Sequence, residues 1–547
     1  MFPSPSFVEH LSADLQHDLH AFLPELILCG TVVGLLLARL FDALNRVHLV
    51  PVALIGAVWA TVAAGYGWSA DGPSAPEYGG TPFFSGLLVA DKFGQYLRIF
   101  LPGFLALALW LSLLTGIPDR EDSADYSTLL VGGTVGMMVM ASANHLLTAF
   151  IAIEMASLPS YGLAGFLKGR RQGSEAALKY VVYGAAASGV MLYGISLIAA
   201  VYGTGSLPAI SAIVKSAGGN LPLTATVGAG CVLAGLGFKL AAVPFHFWCP
   251  DVFEGAAAEV GAFLSVASKA AALALTARFL FVFGSATDDG RGATTPNALG
   301  IAFAVVAAIT ATFGNIAALG QTNIKRLLAY STIAHAGIMM MALSPAGPRA
   351  VGPILFYISS YLLMNLGAFA VVALVRNRTG SEDLSAYRGL LRRSPVLGVG
   401  MALFLLSLLG MPPLAGFAAK FQVFAVLYET GRTFGNGGDA LFGWFYFALL
   451  TVAGLNTALS AGYYLRVVRA IVLDAPEEDA PPLSTAVGGR IFMTVLAGMV
   501  VAVGIFWNPL TKAGSQGAKA FQKSPRHPRI DSFLGVGNGR EDAFKRD

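Results

Sequence analysis

Fourteen runs of apolar residues, most close to twenty residues long or longer, fill this chain and leave it one class of fold. They lie at about 22–40, 50–69, 95–115, 127–142, 145–167, 177–203, 223–249, 257–283, 297–320, 325–344, 352–376, 397–429, 441–471 and 489–508. A hydrocarbon core about 30 Å thick is crossed by about twenty apolar residues in helical form. A spanning segment must also satisfy its backbone groups internally. The chain is therefore read as an all-α polytopic membrane protein with about 14 transmembrane helices. Composition agrees: 55% of the 547 residues are apolar and only 12% charged, about half the charge of a soluble domain. The net charge of +4 serves topology in such a protein and implies the lipid bilayer, not nucleic acid, as its surroundings. Cys29, Cys231 and Cys249 have no metal-type spacing and are read as buried, inert thiols. The first twenty residues hold no Lys or Arg, so no cleavable leader is expected.

Basic residues set the expected orientation. Loops after odd-numbered segments hold Arg46, Arg120, Lys168, Arg170, Arg171, Lys325, Arg326, Arg376, Arg378, Arg388, Arg392, Arg393, Arg466 and Arg469. Loops after even-numbered segments hold only Lys92, Lys215, Arg291, Arg349 and Arg432. Positive loops stay in the cytoplasm, which puts the odd loops inside and both termini on the periplasmic side of a bacterial inner membrane. The eight Lys and Arg residues after position 511 run against that assignment. Residues 511–547 are read as a disordered polar tail.

Two segments carry helix breakers near their middles. Segment seven reads Gly237-Phe-Lys239-Leu-Ala-Ala-Val-Pro244-Phe-His246-Phe-Trp248, and segment twelve contains Gly410-Met-Pro412-Pro413-Leu-Ala-Gly416. Proline removes a backbone donor and clashes with the preceding turn, so both helices are expected to break. The breaks fall five segments apart, as two inverted five-helix repeats would place them. The expected organisation is N-terminal helices in 1–126, a first repeat in 127–284 and a second in 297–472. Helix fourteen in 488–510 and the tail complete the chain. Matched broken helices are the best sequence pointer to a transport site.

Four ionisable residues lie inside these segments: Glu154 in segment five, Lys239 five residues before Pro244, Lys269 central to segment eight, and Lys420 seven residues after Pro413. A charge at the bilayer centre costs about 2.5–3.5 kcal/mol even on lenient scales. The bland alternative is an ion pair that locks helices together. Lysine suits a proton carrier better, because burial disfavours its charged form and a nearby carboxylate restores it. Lys239 is expected to hold the proton, Glu154 to tune it, Lys269 to relay, and Lys420 to face the outward exit. His246 and His335 join the candidates, since free imidazole titrates near 6.5. Ser331, Thr332, Tyr357, Asn365 and Asn456 are candidates to line a hydrated path, although interhelical hydrogen bonding explains them equally well. Arg278 is expected to snorkel to the outer face and Arg466 and Arg469 to the inner one. Glu175 and Lys179 form an i,i+4 pair. The sequence offers no phosphate-binding glycine loop, cysteine cluster or haem site, so redox chemistry is expected elsewhere.

Several stretches resemble subunit N of NADH-quinone oxidoreductase, respiratory complex I. They are Ser174-Glu-Ala-Ala-Leu-Lys179-Tyr180, Pro244-Phe-His246-Phe-Trp248-Cys-Pro250-Asp251-Val-Phe-Glu254-Gly255 and Ala262-Phe-Leu-Ser265-Val-Ala-Ser-Lys269-Ala-Ala. Asn323-Ile-Lys325-Arg326-Leu-Leu-Ala-Tyr330-Ser331 and Gly410-Met-Pro412-Pro413-Leu-Ala-Gly416-Phe-Ala-Ala-Lys420-Phe complete the set. The resemblance runs from about residue 20 to 510. It implies a proton-translocating subunit, driven by quinone reduction elsewhere in the complex, in which Glu154, Lys239, Lys269 and Lys420 form a central charged axis. It further implies no cofactor in this chain, with NAD, FMN, iron–sulfur clusters and quinone held by partner subunits. The partners it implies are antiporter-like neighbours and small membrane subunits. One departure stands out: where the family commonly has two prolines separated by one residue after Glu254-Gly255, this chain has Ala257 and Glu259. A subunit of a sodium/proton antiporter is the nearest rival reading. A polytopic lipid-head-group transferase using His246 and Asp251 is a more distant one, because it has little use for Lys269 and Lys420.

Overall fold

The computed structural model describes residues 14–41, 47–68, 80–167, 169, 171–283, 285–288, 294–476, 483 and 486–521. Arg46, Lys168, Arg170, Arg291 and the tail beyond residue 521 lie outside the described residues. Every one of the fourteen apolar segments is helical. In chain order they form α1 (Leu23–Arg39), α2 (Val50–Trp68), α3 (Lys92–Thr115), α4 (Ser123–Ser142), α5 (Leu146–Ala164), α6 (Arg171–Tyr202) and α7 (Leu223–Leu240). Then follow α8 (Ala258–Phe283), α9 (Ala298–Leu319), α10 (Ile324–Leu343) and α11 (Val351–Thr379). The twelfth segment is two helices, α12 (Pro395–Leu409) and α13 (Ala415–Asn436), and α14 (Ala440–Val472) and α15 (Val487–Ile505) complete the set. Among the described residues, eleven helices are long and apolar enough to cross a membrane. A twelfth is added if Asp14–Ala21 and α1, bent by 73°, form one span.

Burial identifies the axis of the bundle. In the most apolar stretch of α8, 94% of residues are buried, and in those of α10 and α11 the figure is 89%, against 28% in α6, α14 and α15. A helix apolar on all sides belongs inside such an assembly, so α8, α10 and α11 are wrapped by the rest. Small residues bring neighbours into backbone contact. A Cβ on Gly136 of α4 would stand 2.6 Å from the Ala156 amide nitrogen of α5. A Cβ on Gly314 of α9 would stand 2.6 Å from that of Ala334 in α10. Glycine at both crossings permits the close approach that drives helix association in lipid.

Both expected breaks are present. α7 stops at Leu240, Ala241 takes a left-handed conformation (φ 54°), and the chain crosses 242–247 before the short helix Trp248–Gly255. α12 stops at Leu409, with Gly410 left-handed (φ 93°), and α13 begins at Ala415. Left-handed residues are the usual way to end a helix by turning its last amides back on its carbonyls. Ala242 N duly donates to Gly237 O at 2.8 Å and Met411 N to Leu406 O at 3.0 Å.

Several features depart from the sequence reading. α8 contains a π-helical stretch, Leu264–Ser268, just before Lys269. Two small hairpins, β1 (Thr81–Phe83) with β2 (Leu88–Ala90) and β3 (Ser285–Asp288) with β4 (Thr294–Pro296), interrupt the all-helical pattern in loops. Part of the expected tail is ordered: α16 (Asn508–Ala518) packs on α11 and α3. Its extension carries Phe521 against Phe93 at 5.1 Å and Phe281 at 4.4 Å between ring centroids. Those contacts outweigh the Gly-, Ser- and Lys-rich composition that argued for disorder. Cys249 is buried, whereas Cys29 and Cys231 are only half-buried.

Arg278 does not snorkel. It forms a bidentate pair with Asp91 at 2.8 and 2.9 Å, and its Nε donates to Ala141 O at 2.8 Å. Both side chains are under 10% exposed. A second pair, Arg98 with Glu25 at 2.7 Å, is buried as completely. A buried pair survives only with good geometry and further hydrogen bonds, and losing one partner is costly, so the first pair ties the start of α3 to α8 and the second ties α1 to α3.

Candidate functional site

The break in α7 is built from the same motif residues that the sequence singled out. Trp248 Nε1 donates to Phe238 O at 2.9 Å, and Thr310 Oγ1 accepts from Val243 N at 3.0 Å. Lys269 Nζ reaches across from α8 to Leu240 O at 3.0 Å and to Thr332 O of α10 at 3.3 Å. The Leu240 carbonyl, one that a broken helix leaves without a helical partner, is thus taken by the Lys269 ammonium, and the indole adds a second donor to Phe238 O, which also accepts from Ala241 N at 3.0 Å. Tyr180 stacks flat on Trp248 with centroids 4.3 Å apart.

Lys239 occupies this wall with its side chain 2% exposed and its Nζ without a hydrogen-bond partner. Its ammonium stands 5.9 Å from the ring centroids of both Tyr161 and Tyr180, the range of a cation–π contact. Glu154 is within Coulombic reach of Lys239, but among the described residues no ion pair joins them. Glu154 is half-buried and accepts a hydrogen bond from Ser188 of α6. The expected central pair is therefore two neighbouring charges, each with a different immediate partner.

Beyond Lys269 the line continues through hydroxyls. Tyr361 donates to Thr332 Oγ1 at 2.9 Å, and Ser331 and Tyr464 share a hydrogen bond. His335 sits between two phenols, Nδ1 2.8 Å from the Tyr357 hydroxyl and Nε2 3.1 Å from that of Tyr464. His335 and Lys420 line one small cavity with Asn315, Asn456, Ser460 and Tyr463. It has about 10 Å³ of room for water centres, enough for about one molecule. Lys420 Nζ donates to Leu409 O, the last helical carbonyl before the second break, at 2.9 Å. Asn315 Nδ2 donates to Asn456 Oδ1 at 2.9 Å and Tyr463 to Asn315 Oδ1 at 3.0 Å.

The structure therefore brings Lys269, His335 and Lys420 onto one polar line, with Lys239 and Glu154 at one end. His246 is apart from it: its ring lies 4.4 Å from those of Phe247 and Phe313, and its Nδ1 has no partner. Asp251 is not free to work with His246, because Lys179 holds one oxygen at 2.7 Å and Arg326 the other at 2.8 Å. With Glu175 and Glu254 these residues form a surface ion network at the end of the bundle. Tyr161, Tyr180, Tyr361, Tyr464 and Asn315 were not among the candidates read from sequence. Phenol and amide groups inside apolar segments were the available signal, with Tyr180 also closing one of the stretches that carry the resemblance. Among the described residues no three His, Cys, Asp or Glu side chains gather as metal ligands would.

A family model described as NADH:quinone oxidoreductase/Mrp antiporter, TM, matches residues 143–436. That match, on a bundle of this kind, is the mark of an antiporter-like membrane subunit that translocates protons. An NADH-quinone oxidoreductase subunit N from Anaeromyxobacter sp. is 40% identical over 507 residues, covering 90% of this chain and 95% of that one. The chain belongs to the NADH-quinone oxidoreductase subunit N family, as a multi-pass membrane subunit of that respiratory complex. A chain of respiratory complex I from Thermus thermophilus matches with a TM-score of 0.71 and 32% identity, covering 90% of this chain and all of that one. A chain of the Mrp complex from Dietzia sp. reaches a TM-score of 0.76 over 91% of this chain and 97% of that one, at 19% identity. That second likeness is one of fold.

Proposed function

We propose that this subunit moves protons along the buried line from Lys239 through Lys269 and His335 to Lys420, with Glu154 tuning Lys239. The observation that carries the reading is the placement of Lys269 and Lys420. Each ammonium is buried and held by carbonyl oxygens, and among the described residues no carboxylate forms an ion pair with it to fix its charge. A lysine so placed takes and gives a proton more readily than one locked in a salt bridge. Hydroxyls of Tyr464, Tyr357 and Ser331 and the cavity beside His335 supply donors and acceptors between the two lysines. His246 is assigned to a peripheral place beside the first break.

In this reading helices four to eight and nine to thirteen of the sequence, residues 127–284 and 297–472, are inverted repeats within a fourteen-helix bundle. Paired features support it: the Gly136–Ala156 and Gly314–Ala334 crossings fall at the same offset along the chain, and both breaks pair a left-handed residue with downstream prolines. Isolated bridges at His145–Ser206 and Asn323–Asp383 occupy matching places as well. The arginine-rich ends face the cytoplasm of a bacterial cell and both termini face the periplasm. The chain works with antiporter-like and small membrane subunits of the complex and holds no cofactor. NAD, FMN, iron–sulfur clusters and quinone belong to its partners. Proton pumping by the reconstituted complex carrying Lys269→Ala tests the reading: the complex assembles and pumping falls several-fold. Unchanged pumping contradicts it.

A further inference from the structure

Glu259, near the start of α8, is 2% exposed, and neither of its carboxylate oxygens has a hydrogen-bond partner among the described residues. The hydroxyls of Thr115 and Tyr126 lie beside it, and both also have other partners. Thr115 donates to Leu111 O and Ser112 O at 3.1 and 3.3 Å, and Tyr126 shares a hydrogen bond with Ser112 at 3.0 Å. The charged groups that face it are Lys325 at the start of α10 and Arg376 near the end of α11. Both are held by Glu382, Lys325 at 2.8 Å and Arg376 at 3.1 Å, and Lys325 also donates to Ala256 O at 2.8 Å. Glu382 and Arg376 line an open cleft of about 540 Å³ with Arg171, Gln172, Asn323 and Asp383. Water therefore reaches within one ion pair of the buried group.

Charge balance gives Glu259 a task. Lys325 and Arg376 share the Glu382 carboxylate, so an ionised Glu259 adds a negative charge facing two cations and a protonated Glu259 does not. A buried carboxylate with no hydrogen bond is costly, so its proton occupancy is set by those cations and by access from the cleft. Farther along α8, Ser265 and Asn365 meet in a hydrogen bond inside the π-helical stretch, and Asn365 Oδ1 has no partner. π-helical turns gather at functional sites because they leave a carbonyl unpaired. Lys269 follows ten residues after Glu259, about 15 Å along the helix.

We propose that Glu259 is a proton-binding site, loaded from the cleft at Glu382 and discharging along α8 toward Lys269. The proton adds to a carboxylate oxygen from cleft water, and its departure restores the carboxylate. The inference rests on the proton path proposed above and adds an entrance to it.

Proton pumping by the whole complex in proteoliposomes, measured against pH on the cleft side, tests it with Glu259→Gln, Glu259→Pro and Lys269→Ala side by side. The expected result is that Glu259→Gln assembles, pumps several-fold more slowly, and loses most of the cleft-side pH dependence. If Glu259→Gln pumps like the parent across the range while Lys269→Ala fails, Glu259 is no entrance and the lysine path stands. If both pump normally, the path itself is wrong. If neither Gln nor Pro at 259 assembles, the carboxylate is only a counter-ion to Lys325 and Arg376, and the inference is overturned.

Discussion

Lys269 and Lys420 each donate from Nζ to the last helical carbonyl before a break, Leu240 O at 3.0 Å and Leu409 O at 2.9 Å. The proline breaks and the buried charges therefore meet at the same two places in the fold. A helix that stops inside a membrane leaves carbonyls unpaired, and an ammonium is a fitting donor for them. The bond persists when the lysine is neutral, because an amine still donates. Proton loss therefore need not unmake the structure around it.

Lys239 lacks any such bond, and the consequence is measurable. Lys239→Ala is expected to assemble and to lose most proton-coupled turnover. Glu154→Gln, which keeps an acceptor for Ser188, is expected to retain part of it. NADH oxidation and proton uptake measured together in membranes check this, and full coupling in Lys239→Ala would make the lysine structural.

The Asp91–Arg278 pair should behave in the opposite way. Asp91→Asn leaves the guanidinium buried without its counter-ion and is expected to cost about 3–5 kcal/mol. Thermal unfolding of the purified complex reads this as lost stability, with the proton-to-electron ratio of the surviving complex unchanged. Replacing both residues with apolar ones of similar volume is expected to be milder than either single change.

Gly136 and Gly314 make matching predictions about packing. Valine at either position drives side-chain atoms into the backbone of the next helix, since a Cβ alone would lie 2.6 Å from an amide nitrogen. Overpacking costs about 1–3 kcal/mol or more, read as reduced assembly on native gels. Similar losses at the two sites are expected if the two halves are repeats.

Single cysteines at Arg392 and at Asn220, both outside the buried core, test orientation. The first is expected to resist an impermeant thiol reagent in intact cells and the second to react. The reverse pattern inverts the topology.

Much of this was legible in the sequence for a simple reason: lipid demands continuous apolar runs, so the fourteen segments declared themselves, and Lys239, Lys269 and Lys420 stood out against them. What stayed hidden depends on pairing across the fold. Arg278 looked like a snorkelling residue because Asp91 lies 187 residues away. Glu25 and Arg98 sit near segment ends, where charges are ordinary. Tyr464 and Tyr361 are unremarkable in an apolar helix until their hydroxyls are seen beside His335 and Thr332. The order of α16 depends on Phe521 finding Phe93 and Phe281, which composition does not encode.

The central claim is that the buried lysines change protonation as the subunit works, and Lys420→Arg tests it most directly. Arginine keeps the positive charge and a donor for Leu409 O, but its guanidinium stays protonated, with a pKa above about 12. The measurement is the proton-to-electron ratio of the assembled complex in proteoliposomes. A ratio clearly below that of the parent, with assembly intact, is the predicted result. A ratio equal to the parent's would mean that position 420 needs only a fixed charge, and the proton path proposed through it would be wrong.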